Sequence, residues 1–255
     1  MANLFNRKIC KVIDIPVDLG TLAGITQNIL SNISNGENSG GYVCVANVHM
    51  LTIARENLKF RSVLELANLT IPDGMPLVWT QKLKGHHNAE RVCGPDLMLA
   101  LCQMASDIDQ AIFLLGGSPK TLELLKKRLN AQFPKLKIVG AHSPNLLPEE
   151  PPLDIHLIEQ INQSGAGILF VGLGCPKQEF WCATHAPHLK PISIGVGAAF
   201  DFHAGTKRRP PLWVQQSGLE WLYRLLSEPK RLWKRYLTTN TAFIYYSLLD
   251  LIKRK

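Results

Sequence analysis

The sequence predicts an α/β fold, a mostly parallel sheet flanked by helices, followed by a basic helical appendage at its C-terminal end. Three observations lead there. Short apolar runs punctuated by glycine alternate with segments of helical spacing. Of the 255 residues, 46% are apolar and 19% charged, which supports a substantial core and excludes disorder. The net charge of +8 sits at one end: from Lys207 onward there are eleven Lys and Arg against Glu220, Glu228 and Asp250, so residues 1–206 are close to neutral. The expected division is an α/β core over residues 1–205 and an appendage over 206–255.

The expected strands are YVCVAN (42–47), AIFLLGG (111–117), KIVGA (137–141), GILFVGLG (167–174) and PISIGVG (191–197), each continuous enough to be buried on both faces. Helical spacing marks LKFRSVLELAN, GPDLMLALCQMAS, SPKTLELLKKRLNAQF, LDIHLIEQINQS and PKQEFWCATHA. SPNLLPEEPP (143–152) marks a loop. The six cysteines form no CxxC pair and several lie in apolar runs, so they read as reduced core residues. No apolar stretch before a small-residue cleavage site follows Met1, and the expected location is the cytoplasm.

In such a fold ligands gather at the carboxyl ends of the strands, which directs attention to the residues just after each run. Asn47 and His49 follow the first, Gly116-Gly117-Ser118-Pro119 the second, Gly172 to Gln178 a later one and Asp201 the last. The GGSPK turn opens a helix whose free N–H groups are suited to a phosphate, although a glycine turn is also plain connection. GLGCPKQE departs from the dinucleotide fingerprint, because Pro176 stands in place of the later glycine and no acidic ribose partner is evident, so a nicotinamide cofactor is not expected. IPDGMP (71–76) places one acid, Asp73, among helix breakers after the apolar run ANLTI. Ordinary turn chemistry accounts for an Asp before Gly, and so does a carboxylate held rigidly at a strand end.

The long stretch from Gly195 to Tyr236 runs from a glycine strand end through Asp201 and a cluster of cations to two basic, aromatic helices on either side of Pro229. Together with IPDGMP, RVCGPDL and GLGCPKQE, in that order along the chain, it resembles the WecG/TagA/CpsF family of bacterial glycosyltransferases over roughly residues 43–236. The resemblance implies a Rossmann-like core of the GT-E type and no DxD metal motif, hence no metal or other cofactor. It also implies an appendage that binds the membrane and completes the active site. For the residues it implies Asp73 as base, Asn47 and Gln178 in the sugar pocket, Arg91 in the nearby RVCGPDL motif, Asp201 in the late FD motif, and tail arginines on the diphosphate. Relatives often carry Thr where Val45 stands, so a hydroxyl contact to substrate is missing or replaced. The implied activity is hexosyl transfer from a UDP-sugar to a polyprenyl-diphosphate-linked saccharide. N-acetylmannosamine, its uronic acid, glucuronic acid and glucose are all candidate donors, and self-association into a homo-oligomer is a further implication.

The chemistry stands on its own as well. An acceptor hydroxyl must lose a proton as it attacks, and the Asp73 carboxylate can take it. The leaving diphosphate gains charge that Arg209, Arg224, Arg231 and Arg235 are available to neutralise. One base and a single displacement invert the anomeric centre. Plainer readings stand beside these: Asn47 as a helix cap, Gln178 as an ordinary first-turn residue, Asp201 as a cap or partner of Arg208, Arg91 as a partner of Asp96, and His86-His87 as a solvated loop. In the tail, apolar residues 222, 225, 226, 232, 233 and 237 recur at helical spacing with cations between them. An interfacial helix pair on an anionic membrane surface, at the inner face of the plasma membrane, is therefore expected. The final run LTTNTAFIYYSLLDLI is too polar and short to span a bilayer. A nucleic-acid binder shares the basic tail, but recognition motifs are missing and nucleic acid is not an expected partner; a non-catalytic membrane adaptor leaves the core motifs without a task.

Overall fold

The computed structural model describes residues 5–34 and 40–252. An antiparallel hairpin, β1 (Ile9–Val12) and β2 (Ile15–Asp18), precedes α1 (Leu22–Ser34). β3 (Gly41–Ala46) leads through α2 (Val48–Glu56) and α3 (Leu58–Leu66) to β4 (Leu69–Pro72). The chain then passes α4 (Met75–Leu83) and α5 (Gly94–Asp107) to β5 (Ala111–Gly116), α6 (Pro119–Gln132), β6 (Lys137–His142), α7 (Ile155–Gln163) and β7 (Ile168–Gly172). α8 (Lys177–His185), β8 (Ile192–Gly195) and α9 (Ala199–Ala204) complete the core, and α10 (Leu212–Gln216), α11 (Glu220–Ser227) and α12 (Pro229–Ile252) form the tail.

The six strands β3 to β8 form one parallel sheet in the order β4-β3-β8-β7-β5-β6. Alternate side chains go to opposite faces, as the pleat requires. Val43, Val45, Ile112, Leu114, Ile168 and Phe170 pack with α1, α5, α6 and α9 on one side. Tyr42, Cys44, Phe113, Leu115, Leu169 and Val171 pack with α2, α3, α7, α8 and the hairpin on the other. All five expected runs are strands. KIVGA is the exception to burial on both faces: as β6 it is the sheet's edge and keeps partial exposure along its length. The hairpin was not legible in advance. It covers the opposite edge, where the Asp18 carboxylate accepts from the Thr70 N–H of β4 at 2.6 Å and pairs with Arg7 at 2.8 Å.

Several helix starts follow from local capping. Asn57 accepts from Phe60 N at 3.0 Å, Ser118 from Thr121 N at 3.1 Å and Asp154 from Leu157 N at 3.0 Å. The final apolar run is not a separate segment but part of α12, which continues unbroken for 24 residues. Among the described residues no helix is long and apolar enough to cross a membrane. α12 instead lies along α2, burying Leu232, Thr239 and Phe243. Near its end Asp250 accepts from the Ile13 N–H at 2.9 Å and pairs with Lys84 at 2.5 Å, tying the tail to the hairpin and α4. Lys253, Arg254 and Lys255, counted in the tail's charge, lie outside the described residues.

Beneath the β7 and β8 ends lies a buried acid. Glu179 is 1% exposed, lies near Cys44, Cys175 and Cys182, and accepts from Gln178 Nε2 at 2.6 Å. Burial raises its carboxyl from the ordinary 4.5 to about 7, against the pull of that hydrogen bond. Between those two values the folded chain holds a proton that the unfolded chain releases, so this group's contribution to stability is present below pH 4.5 and lost as pH rises to 7. Glu179→Gln removes the dependence. In urea unfolding, the stability of the variant relative to the parent should rise by about 3 kcal/mol across that window; a difference that does not change with pH contradicts the assignment.

Candidate active site

The carboxyl ends of β4, β3, β8 and β7 open into a cavity of about 1230 Å³, roofed by the tail. This is the crevice where the strand order reverses: the β3 connection runs outward to β4, whereas β8, its other neighbour, closes the opposite wing. A single drug-sized ligand occupies a pocket of roughly 300–1,000 Å³, so the space suits two substrates at once.

Asp73 follows β4 directly, its N–H bonded to Ala46 O of β3 at 2.8 Å. Pro72 and Gly74 flank it, and α4 starts at Met75 with Pro76 in its first turn, so the acid is fixed between a strand end and a helix start. Its carboxylate is 23% exposed and receives Arg91 Nη2 at 2.9 Å, while Arg91 Nε bonds the Asp73 backbone oxygen. The same Nη2 reaches Glu220 of α11 at 2.6 Å, and the other Glu220 oxygen takes Arg224 Nη2 at 2.6 Å. A chain of alternating charge thus runs Asp73, Arg91, Glu220, Arg224 from core to tail. Burial raises the proton affinity of Asp73, Glu220 adds to it, and the guanidinium groups of Arg91 and Arg224 oppose it without cancelling it. Burial pushes Glu220 the same way, but Arg224 and Arg91 outweigh it and hold this carboxyl below its usual range. Two carboxylates that share one guanidinium are driven apart: Glu220 stays ionised, and Asp73 is the one suited to take a proton.

The other expected residues fall into three groups. Asn47, Gln178, Asp201, Arg224 and Arg235 line the cavity with Asp73 and Arg91. Asn47 also caps α2, accepting from Met50 N at 3.2 Å, so the plain and the functional reading hold together. Gln178 stands in the first turn of α8, as the plain reading has it, and is buried there. It accepts from Gly197 N at 3.1 Å and donates to Glu179, which fixes the turn after β8 against the cavity wall. Asp201 pairs with Lys207 at 3.8 Å, not with Arg208, because the turn after α9 brings the Lys207 backbone back onto the Asp201 carbonyl. Arg91 does not pair with Asp96; that acid takes Arg209 at 2.5 Å and the Cys93 thiol at 2.9 Å. Arg209 is thereby drawn out of the cavity. Gly116 and Gly117 lie outside it too. Gly116, at φ 117°, passes so close to β7 that a Cβ would stand 2.5 Å from Gly172 O, which makes its role a backbone contact. The side chain of Arg231 lies outside the described residues.

Sequence reasoning missed Glu220, the only tail acid in the charge chain, and passed over His49. Glu220 stands in a run of aromatic and basic residues, where a lone acid reads as a solvated charge. Gly218, at φ 75°, makes the preceding turn against Trp79 of α4, where a Cβ would approach the ring within 2.8 Å, and so aims Glu220 inward. His49 lines the cavity in the first turn of α2; burial and then Arg235 press its imidazole down to about 4, so it is neutral at physiological pH. Arg235 itself has no carboxylate partner among the described residues.

The model of the glycosyl transferase WecG/TagA/CpsF family matches residues 10–255. A protein of Bacillus spizizenii named N-acetylglucosaminyldiphosphoundecaprenol N-acetyl-beta-D-mannosaminyltransferase is 30% identical over 204 residues, 79% of this chain and 77% of its own. The family match spans hairpin, sheet and tail alike, and the chain belongs to the WecG/TagA/CpsF family of glycosyltransferases.

Proposed function

We propose that the protein transfers a hexosyl group from a UDP-sugar to a polyprenyl-diphosphate-linked saccharide with inversion, using Asp73 as general base. The observation that carries this is the Asp73 carboxylate at the strand end, with its raised proton affinity, facing a cavity large enough for donor and acceptor. The acceptor hydroxyl gives its proton to Asp73 as its oxygen attacks the anomeric carbon, and the bond from that carbon to the diphosphate breaks on the opposite face. Arg224 and Arg235, both lining the cavity, meet the charge that develops on the diphosphate. The name of the Bacillus relative supports an N-acetylglucosaminyl diphospho-polyprenol acceptor and favours an N-acetylmannosaminyl group among the four candidate donors. Val45 lines the cavity at the position where the resemblance implies a Thr in many relatives, which is the natural place for a difference in donor.

The tail supports a lipid-borne acceptor. Trp79, Leu83, Tyr236, Ile244, Leu248 and Leu251 form an apolar arm of the cavity between α4 and α12. On the outside of the tail Leu226, Trp233, Leu237 and Ile252 are exposed among Lys230 and Lys234. A large hydrophobic surface beside cations suits the headgroup layer of an anionic leaflet. The division at residue 205 then separates a catalytic core from a membrane-facing segment, with Gly205 ending α9 in the left-handed conformation.

Three outcomes are expected. Purified full-length protein should release UDP only when one donor, UDP-N-acetylmannosamine or another of the four candidates, and the lipid-linked acceptor are both present. Asp73→Asn should lower that rate by about 10²–10⁴-fold with an unchanged melting profile; a variant with intact turnover sinks the base assignment. In vesicle sedimentation, binding should require anionic lipid, and Lys230→Ala with Lys234→Ala should weaken it roughly tenfold or more. Equal binding to neutral vesicles contradicts the membrane reading.

A further inference from the structure

An aspartate paired directly with arginine is a poor base, since the guanidinium stabilises the carboxylate and weakens its hold on a proton. Arg91 stands in that relation to Asp73 at 2.9 Å. The same nitrogen is also held by Glu220 at 2.6 Å, the shorter of the two contacts. Two oxygens bonded to one nitrogen lie close together, and Glu220 is only 17% exposed, so its charge is weakly screened. Arg224 fixes the other Glu220 oxygen at 2.6 Å, which prevents the side chain from swinging away. We infer that Glu220, supplied by the tail, is a positioning residue for transfer: it takes a share of the Arg91 guanidinium so that Asp73 is oriented by Arg91 yet remains able to accept the acceptor's proton.

The neighbours leave this to Glu220. The charged or titratable groups facing Asp73 are Arg91 before α5, Glu220 and Arg224 on α11, and the Cys93 thiol at the start of α5. Burial pushes Cys93 up to about 12, so it carries no charge at neutral pH. Arg209 and Asp96 form a neutral pair beside it. Of these groups only Glu220 is an anion that both touches Arg91 and raises the proton affinity of Asp73. The docked tail thus contributes to the strength of the base as well as to the walls of the cavity.

The inference rests on Asp73 as base, and the pH dependence of kcat/KM separates the two. Transfer needs ionised Asp73, so activity falls on the acid side as Asp73 takes up its proton. Removing the Glu220 charge lowers the proton affinity of Asp73, and the acid limb of Glu220→Gln should move to lower pH by on the order of one unit. Its plateau should fall roughly tenfold, because the base is weaker. Glu220→Asp keeps the charge on a shorter stem; its acid limb should stay near that of the parent while its plateau falls. A Glu220→Gln limb that stays in place, with Asp73→Asn inactive, overturns the coupling and leaves the base. Intact turnover in Asp73→Asn overturns both. If Glu220→Gln does not give a cooperative melt, Glu220→Asp decides alone: a plateau equal to the parent's contradicts the inference.

Discussion

Arg91 donates from one nitrogen to two carboxylates that the sequence separates widely, Asp73 at the end of β4 and Glu220 at the start of α11. A guanidinium can serve both because its donors are fixed in a plane and its charge does not titrate in the working range. Without it two half-buried acids would repel each other across the junction of core and tail. With it, the carboxyl end of the sheet and the basic tail meet through one hydrogen-bonded chain that ends on Arg224. Burial makes the chain consequential: at 16% exposure for Arg91 and 17% for Glu220, losing one partner leaves an uncompensated charge.

The rest of the architecture holds that contact in place. The parallel sheet brings the carboxyl ends of four strands to one crevice, and the hairpin closes the β4 edge through Asp18, which keeps the strand carrying Asp73 in register. The tail is fixed at both ends: Arg91 and Glu220 secure α11, and Asp250 secures the far end of α12 to Ile13 and Lys84. Between them α12 buries Leu232, Thr239 and Phe243 inward and leaves Trp233, Leu237 and Ile252 outward. One helix thus roofs the cavity and presents the apolar, basic surface proposed to meet the bilayer.

Much of this was legible in the sequence, for physical reasons that differ by element. Buried parallel strands are continuous apolar runs, so β3, β5, β7 and β8 stood out, and β6 was found although its edge position escaped notice. The hairpin did not stand out because its strands are only four residues each and the second contains Pro16. Asp73 drew attention as the one acid in a hinge of helix breakers after an apolar run, and the resemblance singled it out; in the structure it lines the cavity. Glu220 was not, because its importance is entirely tertiary: an acid in an amphipathic basic helix looks like a surface charge until the turn at Gly218 directs it inward. Gly116 and Gly117 lie outside the cavity: a glycine turn before a helix suggests a phosphate site, and here Gly116 also serves the close approach of β5 to β7.

The central claim is that core and tail make one active site through Arg91 and Glu220. A double-mutant cycle tests it most directly: kcat/KM for acceptor-dependent transfer, measured for the parent, Arg91→Lys, Glu220→Gln and the double variant. The two losses should fail to add, with a coupling of about 1–3 kcal/mol, as for residues in one charge network. Losses that add to within a few tenths of a kcal/mol would show that the two groups act independently, and would contradict the account.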